Sequence, residues 1–200
     1  MPTIVYENSI YCAIEKCAIT RLIGYFGTVY KQKGNTRRDR AEEIFYPAIN
    51  SFPSSVPISE VKNIYPNKYI FSFIRNPFDR VVSNYFFNRG PWKRKCGRWP
   101  EFDEYVFEME KWNRVPLIST QLNIDVNFVG RLENFKEDFD RLHEILGADV
   151  KYSKDGKHPL NRIENQSRRQ EPYRYYYTES TRREVENRYK IDLERFGYEF

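Results

Sequence analysis

The sequence predicts an α/β domain in which helices cover both faces of a central parallel sheet. Short apolar runs alternate with segments of helical periodicity, which is the pattern of strands joined by helices. The length of 200 residues suits one domain with a substantial core. Aromatic residues make up 17% of the chain, so a packed core is expected. Together these observations predict one α/β domain over residues 1–200.

The N-terminal half of the chain contains two apolar strands, each followed by a helix. The predicted elements are a strand at 9–14, a helix at 18–25, a loop at 26–60, a strand at 69–74 and a helix at 78–88. The loop is predicted because glycines, prolines and charged residues recur there. The second helix has Pro77 near its first turn, where proline is tolerated because its missing N–H would have no helical partner.

The C-terminal half adds a third strand and further helices. Its predicted elements are a basic, tryptophan-containing loop at 90–100, a helix at 102–112, a strand at 126–130, a helix at 135–146, a polar loop at 151–172 and a helix at 179–193. Two helices have apolar stripes, formed by Phe135, Phe139, Leu142 and Leu146 and by Val185, Tyr189 and Leu193. Asn134 is predicted to cap the first of these helices, with Glu137 in a capping box and Gly147 as the stop.

The composition bounds the class of protein. Lysine and arginine total 33 against 28 acidic residues, and the net charge of +5 favours anionic ligands without requiring nucleic acid. The mean hydropathy is −0.77, and no apolar run approaches the roughly 20 residues of a membrane-spanning helix. The N-terminal residues lack the layout of a signal peptide. The chain as given is expected to be soluble and cytoplasmic, with a trimmed lumenal domain as the alternative.

Cysteine and histidine are few and scattered. Cys12, Cys17 and Cys96 give no disulfide framework and no Cys-x-x-Cys pair, so reduced thiols are expected. The two histidines, His143 and His158, are not expected to complete a zinc site, and no metal is predicted. His143 lies beside an apolar helix stripe and is predicted to be structural.

The first candidate site is the turn that follows the strand at 9–14. Lys16 lies at this turn, and Thr20 follows four residues later in the first turn of a helix. Backbone N–H groups at a helix start, a lysine charge and a hydroxyl all attract an anion, as in a phosphate-binding loop. The Gly-x4-Gly-Lys pattern of nucleoside triphosphatases is absent. A plain surface lysine is the alternative interpretation of Lys16.

The second candidate site follows the strand at 69–74, where Arg75 begins an Arg-Asn-Pro turn and Ser83 lies eight residues further on. Ligands of open α/β sheets bind at the carboxyl ends of strands, and an arginine there suits a phosphate. A structural arginine that pairs with Asp79 is the alternative. Arg131, at the end of the third strand, is predicted to point into the same crevice. Together these sites indicate a ligand with two separated phosphates.

On these residues the chain resembles the sulfotransferases that use 3′-phosphoadenosine 5′-phosphosulfate (PAPS). It is similar above all to the Golgi-type carbohydrate sulfotransferases (family 2) and their bacterial relatives. Residues 14–20 are similar to the family's 5′-phosphosulfate loop, residues 129–135 to its third block, and residues 175–198 to its C-terminal helix and tail. The family's 3′-phosphate motif is matched by Arg75, Pro77, Arg80, Ser83 and Tyr85. The likeness spans nearly the whole chain, with gaps at 26–65 and 86–125.

The resemblance implies a P-loop-like three-layer sandwich and a single sulfotransferase domain. It implies that Lys16 is catalytic, because its charge would neutralise the bridging oxygen of the donor. The residues implied to bind PAPS, or its product 3′-phosphoadenosine 5′-phosphate (PAP), are Lys16, Cys17, Ala18, Ile19, Thr20, Arg21, Arg75, Ser83, Arg131, His158, Ser167 and Arg168. Two residues depart from the family pattern. Glu15 replaces the usual proline, and Ile19 replaces a small polar residue, so one hydroxyl contact is lost.

The acceptor hydroxyl also needs a general base. Some relatives use a histidine between the first two motifs and others a glutamate, and this chain has no histidine in that interval. The acidic candidates there are Asp39, Glu42, Glu43 and Glu60. Glu43 is preferred, then Glu42, because the adjoining apolar residues 44–46 would bury a carboxylate and raise its pKa. A solvated acid pair is the alternative, and His158 is a distant second choice.

The resemblance thus implies transfer of the sulfuryl group of PAPS to a hydroxyl of a carbohydrate by in-line displacement. The basic segment 89–98, with Trp92 and Trp99, suits an acidic glycan as acceptor, and a flexible surface loop is the alternative explanation. A small-molecule or lipid sulfotransferase is the second enzyme class. A non-catalytic nucleotide- or glycan-binding relative is a third interpretation. A nucleic-acid partner is not expected, because no nucleic-acid motif is present.

Overall fold

The chain divides into two compact units in the computed structural model, which describes residues 3–19, 22, 49–53, 55–112, 115–147, 169 and 171–200. Unit 1 comprises Met1–Ile74 and Leu122–Asn165, and unit 2 comprises Arg75–Gln121 and Gln166–Phe200. The single-domain organisation stays a prediction.

The described helices are, in chain order, α1 (Ile58–Ile64), α2 (Pro77–Cys96), α3 (Phe102–Phe107), α4 (Ile118–Gln121), α5 (Phe135–Ile145), α6 (Glu179–Arg188) and α7 (Lys190–Phe196). Short 3₁₀ turns at Leu132–Asn134 and Tyr173–Tyr176 come before α5 and α6. None of the described helices combines the length and the apolar character that a bilayer crossing requires.

Unit 1 is built on a mixed sheet of five strands. These are β1 (Thr3–Val5), β2 (Ser9–Cys12), β3 (Asn50–Phe52), β4 (Tyr69–Ile74) and β5 (Phe128–Arg131), in the spatial order β3-β1-β2-β4-β5. Strands β2, β4 and β5 are parallel, which confirms the predicted parallel sheet as the core of an α/β fold. Strand β1 is antiparallel to both β2 and β3. The sequence did not indicate β1 and β3, because strands of 3 residues are too short to show a period.

The parallel strands end at one edge of the sheet. Cys12 of β2 lies opposite Ser72 of β4, and Ile74 of β4 lies opposite Arg131 of β5. The Ser72 hydroxyl donates a hydrogen bond to the Cys12 carbonyl oxygen at 2.7 Å. This edge therefore receives both the turn that follows β2 and the turn that follows β5.

The core of unit 1 lies between one face of the sheet and α5. Its buried members are Ile4, Tyr6, Tyr11, Ala13, Leu22, Phe71, Phe73, Phe128, Phe135, Phe139 and Leu142. The apolar stripe predicted for α5 is confirmed, since three of its members are in this core and Leu146 packs against it. Gly130 allows close packing here, because a Cβ atom at that position would lie 2.4 Å from Cε1 of Phe73.

The start of α5 differs from the prediction. Asn134 precedes the helix, but its side chain makes no capping hydrogen bond, so the capping box with Glu137 is wrong. The preceding 3₁₀ turn gives Asn134 a φ of −116° and a ψ of 35°, away from the extended backbone of an N-cap. The Asp138 carboxylate instead accepts a hydrogen bond from the Arg131 backbone N–H at 2.6 Å. Gly147 ends the segment as predicted, with a φ of 67°.

In unit 2, α2 begins as predicted but ends later. The Asn76 side chain accepts a hydrogen bond from the Phe78 N–H at 3.0 Å, and Pro77 occupies the first turn. The prediction of a loop from residue 90 is wrong, because α2 continues to Cys96 and ends at Gly97 with a φ of 73°. A proline inside a helix removes one backbone hydrogen bond. Among the described residues of α2, the buried ones end at Asn88, and the helix continues through Pro91 as far as Cys96.

The predicted helix at 179–193 is divided at Tyr189 into α6 and α7. Tyr189 has a φ of −105° and a ψ of 16°, and its hydroxyl donates to the Val115 carbonyl oxygen at 2.7 Å. Val185, Tyr189 and Leu193 are buried, as the stripe predicted. The break therefore leaves the buried stripe as predicted.

A buried ion pair organises unit 2. Arg80 Nη1 lies 3.9 Å from Asp192 Oδ2, and both side chains are 0% exposed. Arg80 Nη2 also donates to the Pro116 carbonyl oxygen at 3.2 Å. Asp192 accepts hydrogen bonds from the backbone N–H groups of Ile118 at 2.6 Å and Ser119 at 2.8 Å. Arg80 and Asp192 thus connect α2, α4 and α7.

Candidate active site

The turn after β2 contains two residues with an unusual backbone. Lys16 has a φ of 63° and Ala18 a φ of 57°, which is the left-handed region. Residues other than glycine adopt it at a cost of roughly 1–2 kcal/mol each. Strain of this kind is concentrated at ligand-binding sites, where the surrounding structure enforces it. Alternation of left-handed and other residues also lets successive N–H groups face one anion.

Local packing holds this turn in place. Cys17, between the two left-handed residues, is fully buried, and its N–H donates to the Ile14 carbonyl oxygen at 3.1 Å. Its thiol lies 3.6 Å from the Glu15 carbonyl oxygen. The Leu22 N–H donates to the Ala18 carbonyl oxygen at 3.0 Å, and this bond starts the helical turn. Cys17 therefore shapes the turn from within, and its predicted contact with a ligand stays a prediction.

Lys16 and Glu15 are both half-buried, and Ala18 and Ile19 pack against the core of unit 1. Four predicted ligands, Lys16 to Ile19, thus form this single turn. The other two members of the predicted loop, Thr20 and Arg21, lie outside the described residues.

Tyr11 lies on β2, shortly before the turn, and is fully buried. Its ring stacks on Phe71, with 5.3 Å between the ring centroids. Its hydroxyl has no hydrogen-bond partner among the described residues. Burial raises the pKa of Tyr11 well above its usual value, and the Cys17 thiol adds to the shift. The phenol is therefore held in its neutral form.

Arg131 ends β5 at the same edge of the sheet as this turn. It is half-buried, and the hydrogen bond from its N–H to Asp138 fixes the backbone where the strand gives way to the 3₁₀ turn. The sequence placed Arg131 correctly at a strand end. Its predicted contact with a ligand stays a prediction.

In unit 2, Arg75 pairs with Asp79, which is the structural role that the sequence offered as the alternative to phosphate binding. Its Nε donates to Asp79 Oδ2 at 2.7 Å, one helical turn apart. Arg169 Nη1 contacts the other carboxylate oxygen of Asp79. Ser83 lies two turns into α2 and is buried. The sequence indicated Arg75 and Ser83, but it did not indicate the contact between Arg169 and Asp79.

The comparison with family models decides the assignment. A model described as the sulfotransferase family matches residues 6–199. The chain belongs to the sulfotransferase family. Comparisons with curated proteins and with solved structures found no match. The family match confirms the resemblance, and with it the conclusion that the protein is a sulfotransferase enzyme.

Several residues predicted for the sulfotransferase lie outside the described part of the chain. These are Thr20, Arg21, Asp39, Glu42, Glu43, His158, Ser167 and Arg168. Glu60, another candidate base, is exposed in the first turn of α1. His143 is buried, and its Nδ1 lies 3.0 Å from the Phe139 carbonyl oxygen, as expected for a structural residue. No group of acidic, cysteine and histidine side chains suited to a metal occurs among the described residues.

Proposed function

We propose that this sulfotransferase takes the sulfuryl group from PAPS, the donor typical of the family, and transfers it to a hydroxyl of a carbohydrate. The observation that carries the proposal is the left-handed backbone of Lys16 and Ala18 in the turn after β2. A strained turn of this kind, which itself contains a lysine, suits the 5′-phosphosulfate end of the donor.

The Lys16 side chain would act on the leaving group. The acceptor oxygen forms a bond to sulfur while the bond from sulfur to the bridging oxygen breaks, so negative charge develops on the departing 5′-phosphate of PAP. A lysine ammonium group stabilises such charge best in the transition state. The backbone N–H groups of Ala18 and Ile19 would hold the same phosphate.

Arg75 and Ser83 would bind the 3′-phosphate. Arg75 comes directly after β4 and lies at the start of α2, where the helix dipole also favours an anion. Its guanidinium group is pre-oriented by Asp79, which lowers the entropy that binding would otherwise cost. Glu43, with Glu42 as second choice, is proposed as the base that takes the proton of the acceptor hydroxyl.

An acidic glycan is the proposed acceptor. Arg89 and Lys93 are exposed and one turn apart on α2, so they present two positive charges on one side of a helix. Arg98 is engaged with Glu104, 2.7 Å away, and contributes less. Residues 89–96 lie in α2, whereas the alternative explanation of these basic residues was a flexible surface loop. A small-molecule or lipid acceptor is the second candidate.

The proposal is tested with purified protein and labelled PAPS. Transfer of label to uronic-acid polysaccharides is expected to exceed transfer to neutral glycans, small phenols and lipids. Lys16→Ala should lower kcat by about 10²-fold or more, because it removes a charge that acts in the transition state. Arg75→Ala should instead weaken PAP binding by about 10- to 100-fold. Calorimetry gives the binding constants, and label transfer gives the rates.

Two exposed pairs supply matched controls. Lys111→Ala and Arg183→Ala remove charges that are 68% and 70% exposed and paired with Glu108 and Glu179, so neither rate nor affinity should change. Binding of PAP without transfer to any acceptor would favour a non-catalytic relative. If PAP does not bind the wild-type protein, the assignment of the donor is wrong.

A further inference from the structure

Asp79 connects two arginines that are far apart in the chain. Its Oδ2 accepts the hydrogen bond from Arg75 Nε, and its Oδ1 contacts Arg169 Nη1. Arg75 begins the turn before α2, whereas Arg169 is 90 residues further along the chain than Asp79. All three groups belong to unit 2. The carboxylate therefore fixes Arg169 against the first turn of α2.

The three side chains are largely withdrawn from solvent. The exposed fractions are 13% for Arg75, 14% for Asp79 and 24% for Arg169. Ion pairs on an open surface contribute little, because water and salt screen them. Two guanidinium groups in a partly buried site repel each other unless a carboxylate lies between them. Asp79 offsets that repulsion and still leaves the cluster with a net charge of about +1.

The geometry of the contacts is compatible with a bound oxyanion. A guanidinium group has five N–H donors in a rigid plane, and each arginine contacts Asp79 through one nitrogen, Nε of Arg75 and Nη1 of Arg169. A carboxylate that engages Nε of one arginine and Nη1 of the other fixes the plane of each. Fixed planes are what bidentate recognition of a phosphate requires.

We infer that Asp79 is a positioning residue for the donor's 3′-phosphate and that it recruits Arg169 as a second arginine to that phosphate. The inference rests on the proposed function of Arg75. It adds two residues for which the family motif assigns no role. Asp79 acts through the arginines and touches neither the sulfuryl group nor the acceptor.

The inference and simple charge balance predict opposite effects of Asp79→Ala on the affinity for PAP. Removing a negative charge beside a phosphate site should tighten phosphate binding if charge alone matters. If Asp79 positions the arginines, Asp79→Ala should instead weaken PAP binding by about tenfold. Binding of adenosine 5′-monophosphate, which has no 3′-phosphate, should stay unchanged. KM for PAPS should rise by a similar factor, while kcat at saturating PAPS stays within about twofold.

Further variants separate positioning from folding. Asp79→Asn keeps the shape and one acceptor oxygen, so an intermediate loss is expected, whereas Asp79→Glu keeps the charge and should restore most of the affinity. Arg169→Ala should also weaken PAP binding. The double variant Asp79→Ala with Arg169→Ala should lose less affinity than the sum of the two single losses, because the part of the effect of Asp79 that passes through Arg169 is then counted only once.

The matched control is Glu184→Ala. Glu184 accepts a hydrogen bond from Arg188 Nε at 2.7 Å, also one helical turn apart and partly buried, but on α6. Its loss should leave PAP affinity unchanged. PAP affinity of Asp79→Asn equal to or above that of wild type would overturn the inference. The proposed function fails separately, if Arg75→Ala retains the PAP affinity of the wild type.

Discussion

Tyr11 has a buried hydroxyl that no described residue contacts by a hydrogen bond. An unsatisfied buried polar group destabilises the folded state by about 1–3 kcal/mol. Tyr11→Phe removes the hydroxyl and keeps the ring stacked on Phe71, so we expect the free energy of unfolding to rise by about 1 kcal/mol. Urea denaturation measures it. Tyr189→Phe is the matched control and should lower stability, because that hydroxyl donates to Val115. Equal losses in the two variants would contradict the prediction.

The residue scale also shows the limit of sequence reasoning. Lys16 was placed correctly after a strand and Arg131 at the end of one, because an apolar run followed by a polar turn marks a strand end. The left-handed backbone of Lys16 and Ala18 was not foreseen, since neither is glycine or asparagine. The contact between Arg169 and Asp79 joins residues 90 positions apart, and no local pattern reports such a distance.

At the scale of elements, those with strong local patterns were predicted correctly, whereas the shortest strands were not predicted at all. Strand β4 has the predicted bounds, Tyr69–Ile74, because its apolar run is long and ends at an Arg-Asn-Pro turn. The stripe of α5 was equally clear. The three-residue strands β1 and β3 obtain their stability from pairing with neighbours, which a local window does not contain. The continuation of α2 through Pro91 was likewise not foreseen, because proline is a strong local signal for the end of a helix.

Packing between strands β4 and β5 gives a prediction for Gly130→Ala. The added Cβ would lie 2.4 Å from Cε1 of Phe73, whose ring is confined by Phe135 and Phe128 at centroid distances of 5.1 and 6.2 Å. Because the ring has little room to move, we expect a loss of about 1–3 kcal/mol in unfolding free energy. The variant Phe73→Leu should relieve part of the clash, so the double variant should lose less than the sum of the singles. Additive losses would show that no clash exists.

At the scale of the whole molecule, the family match over residues 6–199 agrees with the breadth of the resemblance seen in the sequence. The parallel core and the turn at its edge were predictable, because strand ends and helix starts have local signals. The acceptor was not, because it is recognised by surface charges and aromatic groups whose arrangement depends on tertiary structure. The sequence already indicated an acidic glycan from the basic segment 89–98, and the extension of α2 adds that Arg89 and Lys93 lie one turn apart on a helix.

Buried acids in both units predict how stability responds to alkaline pH. Burial raises the pKa of Cys12 to about 12 and the pKa values of Tyr6, Tyr11 and Tyr177 above that of an exposed tyrosine. The usual values are 9.0 for cysteine and 10.0 for tyrosine. Above these values the unfolded chain loses protons that the folded chain retains. Unfolding free energy is therefore expected to be unaffected by these groups at neutral pH and to fall as pH rises.

The slope of that fall is the measurable quantity. Each such group contributes up to about 1.4 kcal/mol per pH unit once the unfolded form has ionised, so the loss should begin near pH 9 and steepen above about pH 10. Urea midpoints measured from about pH 7 to pH 11 give the slope directly. Tyr11→Phe should flatten the curve above about pH 10 without changing its onset from Cys12. A midpoint that stays constant up to about pH 11 would mean that these groups ionise as readily in the folded chain as in the unfolded one.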